Sequence, residues 1–328
     1  MSSTTSSLTV IICTYSLKRW ADLRAAVTSA MQQSLPVLEV IIVVDHNDAL
    51  YDRVRRSMPA VRVLASTGPS GLSGARNTGI AAARGDIVAF LDDDAVADAH
   101  WAAQLLDCYQ ESHVIGVGGA VTPAWRVPRP VWLPEEFLWV VGCSYQGQPA
   151  SRAPIRNAIG ASMSFRRAVL ERSGGFDPSV GRHGANAAGC EETELSIRVR
   201  RQSPGGTIML EPLAKVRHTV TAERVSRGYF RNRCRAEGRS KAVVAALAGS
   251  AAALSSERTY VTRTLPLGVG RGLGQWLRGD STGLARALAI LEGLTLTTAS
   301  YLAARARPLR PLGSGGGGMT ELGGLTPP

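Results

Sequence analysis

Three short apolar runs, Leu8 to Cys13, Glu39 to Val44 and Asp86 to Leu91, recur with helix-length segments between them, and this alternation constrains the chain most. Each run is too short for a buried helix, is rich in Val and Ile, and lacks the polar alternation of a half-exposed strand. Such runs predict strands buried on both faces of a parallel sheet. Between them, Leu23, Ala26, Val27, Ala30 and Met31 fall near helical spacing within 18–33, and Ser34 and Pro36 stop that helix. A helix over 49–57, a strand over 61–64 and a helix over 71–83 continue the pattern. Repeated βα units predict an α/β fold with a mainly parallel, twisted sheet flanked by helices.

Ligands of such sheets bind beyond the carboxyl ends of the strands. The polar residues there are Thr14 and Tyr15 after the first strand, Asp45 after the second, and Asp92, Asp93 and Asp94 after the strand ending at Leu91. Further along, 122–154 loses periodicity and gathers Trp125, Trp132, Trp139, Tyr145 and several prolines, which predicts a long ordered loop. Its aromatics either stack on sugar rings beside a cleft or pack the loop itself. Regular structure resumes over 160–170, a turn follows at Gly174-Gly175-Phe176-Asp177, a short helix spans 191–201, and a strand over 207–211 is expected to end the sheet. Beyond about residue 220 the composition shifts to Ala, Arg, Leu and Gly, with helical patterns over 225–247 and 285–304.

These shifts divide the chain into a flexible start (1–7), a catalytic domain (8–220), a helical extension (221–306) and a Gly-rich disordered tail (307–328). Neither helical stretch reads as a clean membrane span, because Arg286 and Glu292 interrupt the second. Such helices either lie on an anionic bilayer or pack on the catalytic domain. The five cysteines have no paired spacing, and the polar start lacks the pattern of a signal peptide. The expected location is therefore the cytoplasm, with peripheral attachment to the inner face of the cell membrane if the basic helices meet lipid.

A net charge of +11 is concentrated where basic residues from Arg198 to Lys241 outnumber Glu211, Glu223 and Glu237. That stretch attracts anions, and charge by itself does not choose among a nucleotide diphosphate, an anionic membrane and nucleic acid. No nucleic-acid module is recognisable, so nucleic acid is not an expected partner. A dinucleotide-binding reading fails because no G-x-G-x-x-G follows the first strand.

Three adjacent carboxylates at a strand end repel one another unless a cation joins them. Mg²⁺ or Mn²⁺ held by one or two of them would complete its shell with phosphate oxygens and neutralise a diphosphate leaving group. The competing reading is a solvated acidic turn. Arg76, near the start of a helix, is placed to pair with phosphate, Asp45 to accept from a base or ribose, and Tyr15 to stack on the base. Glu191 and Glu192 form a second carboxylate cluster suited to a general base, while Glu194 and Arg198, four apart, suit a helical ion pair. His218 at a strand exit is either a structural histidine or a metal ligand, better matched to Mn²⁺ than to Mg²⁺.

The motifs VIICTY, IIVVDHND, GLSGARNTGI, IVAFLDDD, IGASMSFRR, GGFD and CEETELSIR stand in the order found in the family-2 glycosyltransferases, which the region from Leu8 to His218 resembles. The resemblance implies a GT-A fold and single displacement with inversion. It implies that Thr14, Tyr15, Asp45 and Arg76 contact the nucleotide, and that Asp92 to Asp94 form the Asp-x-Asp element, with Asp94 the direct ligand. It draws the base from Glu191-Glu192, where Glu192 stands in place of the family's usual aspartate. His46 and Cys190 replace the family's more usual acidic residue and glycine. The segments WLPEEFLWVVGCSYQG and EGRSKA resemble members that extend lipid-linked or cell-surface glycans, similar to glucuronosyltransferases acting on a dolichyl-phosphate sugar.

The expected function is thus metal-dependent, inverting transfer of a hexosyl-type sugar from a nucleotide-diphosphate donor, a UDP-sugar by preference, to a hydroxyl of a glycan or polyprenyl-linked saccharide. The alternative is a non-catalytic sugar-nucleotide or glycan-binding protein on the same fold.

Overall fold

The computed structural model describes residues 6–180, 189–249 and 255–306. Most of the expected flexible start and the whole Gly-rich tail lie outside them. Among the described residues nine strands form one mixed sheet in the order β3-β2-β1-β4-β8-β6-β9-β5, with β7 paired to β9. Strands β1 (Leu8–Thr14), β2 (Glu39–Val44), β3 (Arg62–Ala65) and β4 (Ile87–Leu91) are parallel, and β8 (Ser162–Arg166) runs antiparallel to β4. In β1, Val10 and Ile12 enter one core with α1 (Trp20–Met31) and α4 (Trp101–Cys108), while Ile11 enters a second core with α3 (Leu72–Ala82) and α6 (Glu191–Gln202). Alternate residues of one strand therefore face two helical layers, which is why its sequence is continuously apolar. Helices α2 (Asp48–Ser57) and α5 (Arg167–Ser173) complete this α/β part, and each expected element from 8 to 91 is present with shifts of a residue or two.

Two expectations are corrected beyond β4. The stretch 122–154 is not one loop: β6 (Val114–Trp125) runs well into it, a 3₁₀ segment spans Glu135–Val141, and β7 (Ala153–Ile155) closes it. The strand expected over 207–211 is β9 (Thr207–Val220), more than twice as long. Pro212, which cannot donate to a ladder, suggests a stop, but the register against β6 slips there, from Gly119 opposite Glu211 to Ala120 opposite Lys215. The bulge absorbs the proline and pairing resumes. β9 then pairs with the short β5 (Ala95–Ala97), placing Ala95 opposite His218.

The last strand ends at Val220, and α7 (Arg227–Ala248), α8 (Leu265–Leu277) and α9 (Ser281–Ala306) follow. They share a third core with the Trp-rich segment: Phe137 and Phe230 are buried there with Leu265 and Ile290, and Trp132 meets Phe230 edge-on at 5.5 Å. Trp139 donates to the Tyr260 hydroxyl at 3.1 Å. These tryptophans pack the extension onto the sheet domain, which decides against free rings waiting for a sugar.

Helix α8 was hidden in the sequence by its glycines, which weaken helical propensity. Their use is close packing, since a Cβ on Gly272 would lie 2.7 Å from the Gly283 carbonyl oxygen. Helix α9 has 26 residues and an 18-residue window of mean hydropathy 1.4, so by length and composition alone it is a candidate membrane span, with Arg286 and Glu292 interrupting its apolar sequence. Glu292 pairs with Arg227 and Arg231, and Arg286 with Asp280.

Candidate functional site

The polar strand ends converge as expected. Asp93 and Asp94 are almost fully buried and Asp92 is one-third exposed. The Thr14 hydroxyl donates to Asp93 Oδ2 at 2.8 Å, and Arg19 Nη1 stands 2.7 Å from Asp93 Oδ1 and 3.4 Å from Asp94 Oδ2. Burial pushes the Asp93 carboxyl up to about 6 against the pull of Arg19. Asp94 is buried too, but His218, Arg224 and Arg19 outweigh the desolvation and hold it well below the usual carboxylate range.

Donor atoms of Asp92, Asp94 and His218 lie within 4.8 Å of one another. Two carboxylates and an imidazole fit a divalent ion such as Mn²⁺, which accepts both oxygen and nitrogen donors. Arg224 forks across this set: Nη1 lies 3.1 Å from His218 Nε2 and Nη2 3.2 Å from Asp94 Oδ2. Gly142, at φ +82°, lets the chain pass His218, where a Cβ would come within 3.1 Å of Cε1. Neither Arg19 nor Arg224 was singled out from the sequence. Each belongs to a short 3₁₀ turn, Leu17–Arg19 or Ala222–Val225, whose approach to the carboxylates is a tertiary event, and a lone arginine carries no motif.

On the facing side, the Arg76 guanidinium is buried against carboxylates. It lies 3.5 Å from Glu191 Oε1, 3.4 Å from Glu192 Oε1 and 3.8 Å from Asp92 Oδ1, with its carbon 5.0 Å from the Phe176 ring centroid. Arg76 thereby links the two acidic clusters. Gly160 makes room, since a Cβ there would lie 2.2 Å from Glu192 Oε1 and 2.9 Å from Arg76 Nη2. Glu191 is nearly buried and Glu192 one-fifth exposed. Glu194 and Arg198 form the expected ion pair at 2.7 Å.

Asp45 accepts from the Gly71 amide at 2.9 Å and faces His46 Nδ1 at 2.7 Å, so it ties the β2 exit to the start of α3. Tyr15 is more than half exposed beside the Arg19 guanidinium, leaving a ring face for a planar ligand. Asn77 exchanges two hydrogen bonds with the Phe176 backbone, each 2.8 Å, and so pins the Gly-Gly-Phe-Asp turn under Arg76. Cys190 has φ +74°, the left-handed region where glycine is at ease.

A model of the family described as Glycosyl transferase family 2 matches residues 9–174. The glucosyl-dolichyl phosphate glucuronosyltransferase of Haloferax volcanii is 33% identical over 241 residues, covering 72% of this chain and 77% of that protein. The succinoglycan biosynthesis protein ExoM of Rhizobium meliloti is 26% identical over 246 residues, covering 71% and 73%. Among solved structures, the mannosyltransferase PcManGT from Pyrobaculum calidifontis in complex with GDP-Man and Mn²⁺ superposes with a TM-score of 0.56 at 18% identity, over 90% of this chain and 88% of that one. GalNAc-T7 with UDP, GalNAc and Mn²⁺ gives 0.52 at 16% identity, over 71% of this chain and 48% of that longer one. At these identities the two structures share the fold.

Proposed function

The chain belongs to glycosyl transferase family 2, and from that premise we propose that it is an inverting, metal-dependent transferase that moves a sugar from a UDP-linked donor to a hydroxyl of a polyprenyl-linked saccharide. The observation carrying this reading is that Arg76 joins two groups: the Asp92, Asp94 and His218 donor set, through Asp92, and the Glu191–Glu192 pair. Asp92, Asp94 and His218 would hold the ion. A bound divalent cation supplies neutralisation of the charge that builds on the departing diphosphate.

Tyr15 stacks on the base, and Asp45 and Thr14 with Asp93 shape the floor beneath the nucleotide. Arg19 and Arg224, both within reach of Asp94 Oδ2, present guanidinium donors suited to diphosphate oxygens. Arg76 orients Glu192, whose partial exposure lets it take the proton of the attacking hydroxyl, and Glu191 stays buried as its support. Attack from the side opposite the leaving group inverts the anomeric carbon.

The acceptor class is drawn from the Haloferax volcanii relative, whose name specifies a sugar on dolichyl phosphate. Exposed Leu267, Trp276 and Leu277 on α8 and Leu288, Leu291 and Leu302 on α9 support a peripheral seat on the inner face of an anionic membrane. Phosphatidylglycerol-rich vesicles are expected to sediment the protein, and the paired change Trp276→Ala, Leu277→Asp to release it. Binding that ignores both changes would move the membrane surface elsewhere.

Calorimetric titration with UDP, GDP, dTDP and AMP, each with Mn²⁺, Mg²⁺ or EDTA, tests the central reading. Tight, metal-dependent binding of UDP that Asp94→Ala abolishes is the expected result. No nucleotide binding under any condition would overturn it.

A further inference from the structure

The segment Glu237-Gly238-Arg239-Ser240-Lys241 lies on α7, outside the cleft, yet one face of this turn reaches the loop that introduces the base-bearing helix α6. The Gly189 amide donates to Ser240 Oγ at 3.1 Å, and the Cys190 thiol donates to Glu237 Oε1 at 3.7 Å. Glu237 and Ser240, three apart, point the same way on the helix, as does Lys241 at the fourth position, whose Nζ stands 3.1 Å from Glu237 Oε1. Lys241 also grips Glu257, which Arg156 holds at 2.6 Å. On its other side the turn is locked to α9, because a Cβ on Gly238 would lie 2.2 Å from the Thr297 carbonyl oxygen.

This clamp acts where the backbone is least comfortable. Cys190 is one of two described non-glycine residues with positive φ, and a side chain in the left-handed region persists only when its surroundings over-determine it. Its carbonyl accepts the first hydrogen bond of α6, from Glu194 at 2.9 Å. The dihedral at Cys190 therefore sets the direction in which α6 leaves, and with it the positions of Glu191 and Glu192, the next two residues.

We propose that Ser240 and Glu237 are positioning residues for the transfer reaction: by fixing Gly189 and Cys190 in a left-handed turn, they aim Glu192 at the acceptor hydroxyl. This rests on the assignment of Glu192 as base. The helical extension then has a task in the chemistry besides its place beside the sheet domain. It braces the base loop while leaving the nucleotide end of the cleft untouched.

The test compares wild type, Ser240→Ala and the double variant Ser240→Ala, Cys190→Gly. Three readouts are taken: sugar transfer from UDP-glucuronic acid and UDP-glucose with Mn²⁺, calorimetric UDP binding, and amide exchange of peptides covering 189–199. Displacements near 1 Å can cost about a hundredfold in rate, so Ser240→Ala is expected to lower kcat roughly ten- to a hundredfold. Its donor KM and UDP affinity should stay within about twofold, and exchange at 189–194 should quicken. The double variant recovers most of kcat, because glycine adopts the left-handed turn without a clamp. A merely structural role would lower kcat and UDP binding together and gain nothing from glycine, and that outcome, or wild-type kcat in Ser240→Ala, overturns the proposal. A wild-type protein that binds UDP but transfers no sugar would sink the role of Glu192 and the aiming claim with it. Unchanged exchange in Ser240→Ala would sink the clamp itself.

Discussion

His218 Nε2 lies 3.2 Å from Asp94 Oδ1, an encounter produced by the antiparallel pairing of β5 with β9 that sets Ala95 opposite His218. The Asp-x-Asp turn and the histidine are thus fixed by a sheet register and not by flexible loops. Pre-set donors lose little freedom on taking up a cation, which favours binding.

His218→Ala is accordingly expected to weaken Mn²⁺ binding by at least roughly 10–100-fold, since losing a direct ligand costs no less than disturbing the outer shell of a metal site. Mn²⁺ titration in the presence of UDP measures it. An unchanged affinity would return His218 to a structural role.

Glu192→Gln should lower kcat by about 10²–10⁴-fold, the range supplied by a positioned general base, with UDP binding retained. Glu191→Gln should cost less in kcat, because Glu191 is nearly buried behind Arg76. Steady-state kinetics on both variants decides between the carboxylates, and a reversed order would make Glu191 the base. A wild-type protein that binds UDP yet turns over no donor would revive the binding-protein alternative.

Gly160→Ala introduces a Cβ 2.2 Å from Glu192 Oε1. The carboxylate must move, so the variant is expected to fold, bind UDP and lose roughly ten- to a hundredfold in kcat. Activity at the wild-type level would show that Glu192 works from another position.

The extension carries its own acid sensitivity. Burial opposes ionisation of Glu257, but Lys241 and Arg156 prevail and hold it at about 2, below its ordinary 4.5. A depressed carboxylate stabilises the fold above its unfolded value and ceases to do so as pH falls through the folded one. Stability should therefore decline between about pH 4.5 and pH 2, and Glu257→Gln should flatten part of that slope in urea unfolding midpoints. An identical slope in the variant would remove Glu257 from the account.

Some of this was legible in the residues. The apolar runs of β1, β2 and β4 fix their own conformation, because short, mostly aliphatic or aromatic runs with no polar alternation are satisfied only inside a sheet. The polar residues ending those runs were found for the same reason: a strand buried on both faces can place chemistry only at its ends. Glu194 and Arg198 were paired correctly because a helix makes four-residue spacing a contact. By contrast, the strand read over 207–211 runs on to Val220, because the bulge that carries it past Pro212 exists only against β6.

The sequence by itself determined the strands of the parallel half, the order of the motifs and the identities of the carboxylates, because these depend on interactions within a few residues or on an alternation set by backbone geometry. Only the tertiary structure decided that Arg19 and Arg224 reach Asp94, that Arg76 holds Glu191 and Glu192 instead of standing open, and that α7 grips the turn at Cys190. Those contacts join residues far apart in the chain. Their closeness is set by packing and sheet register, which no local pattern of residue types encodes.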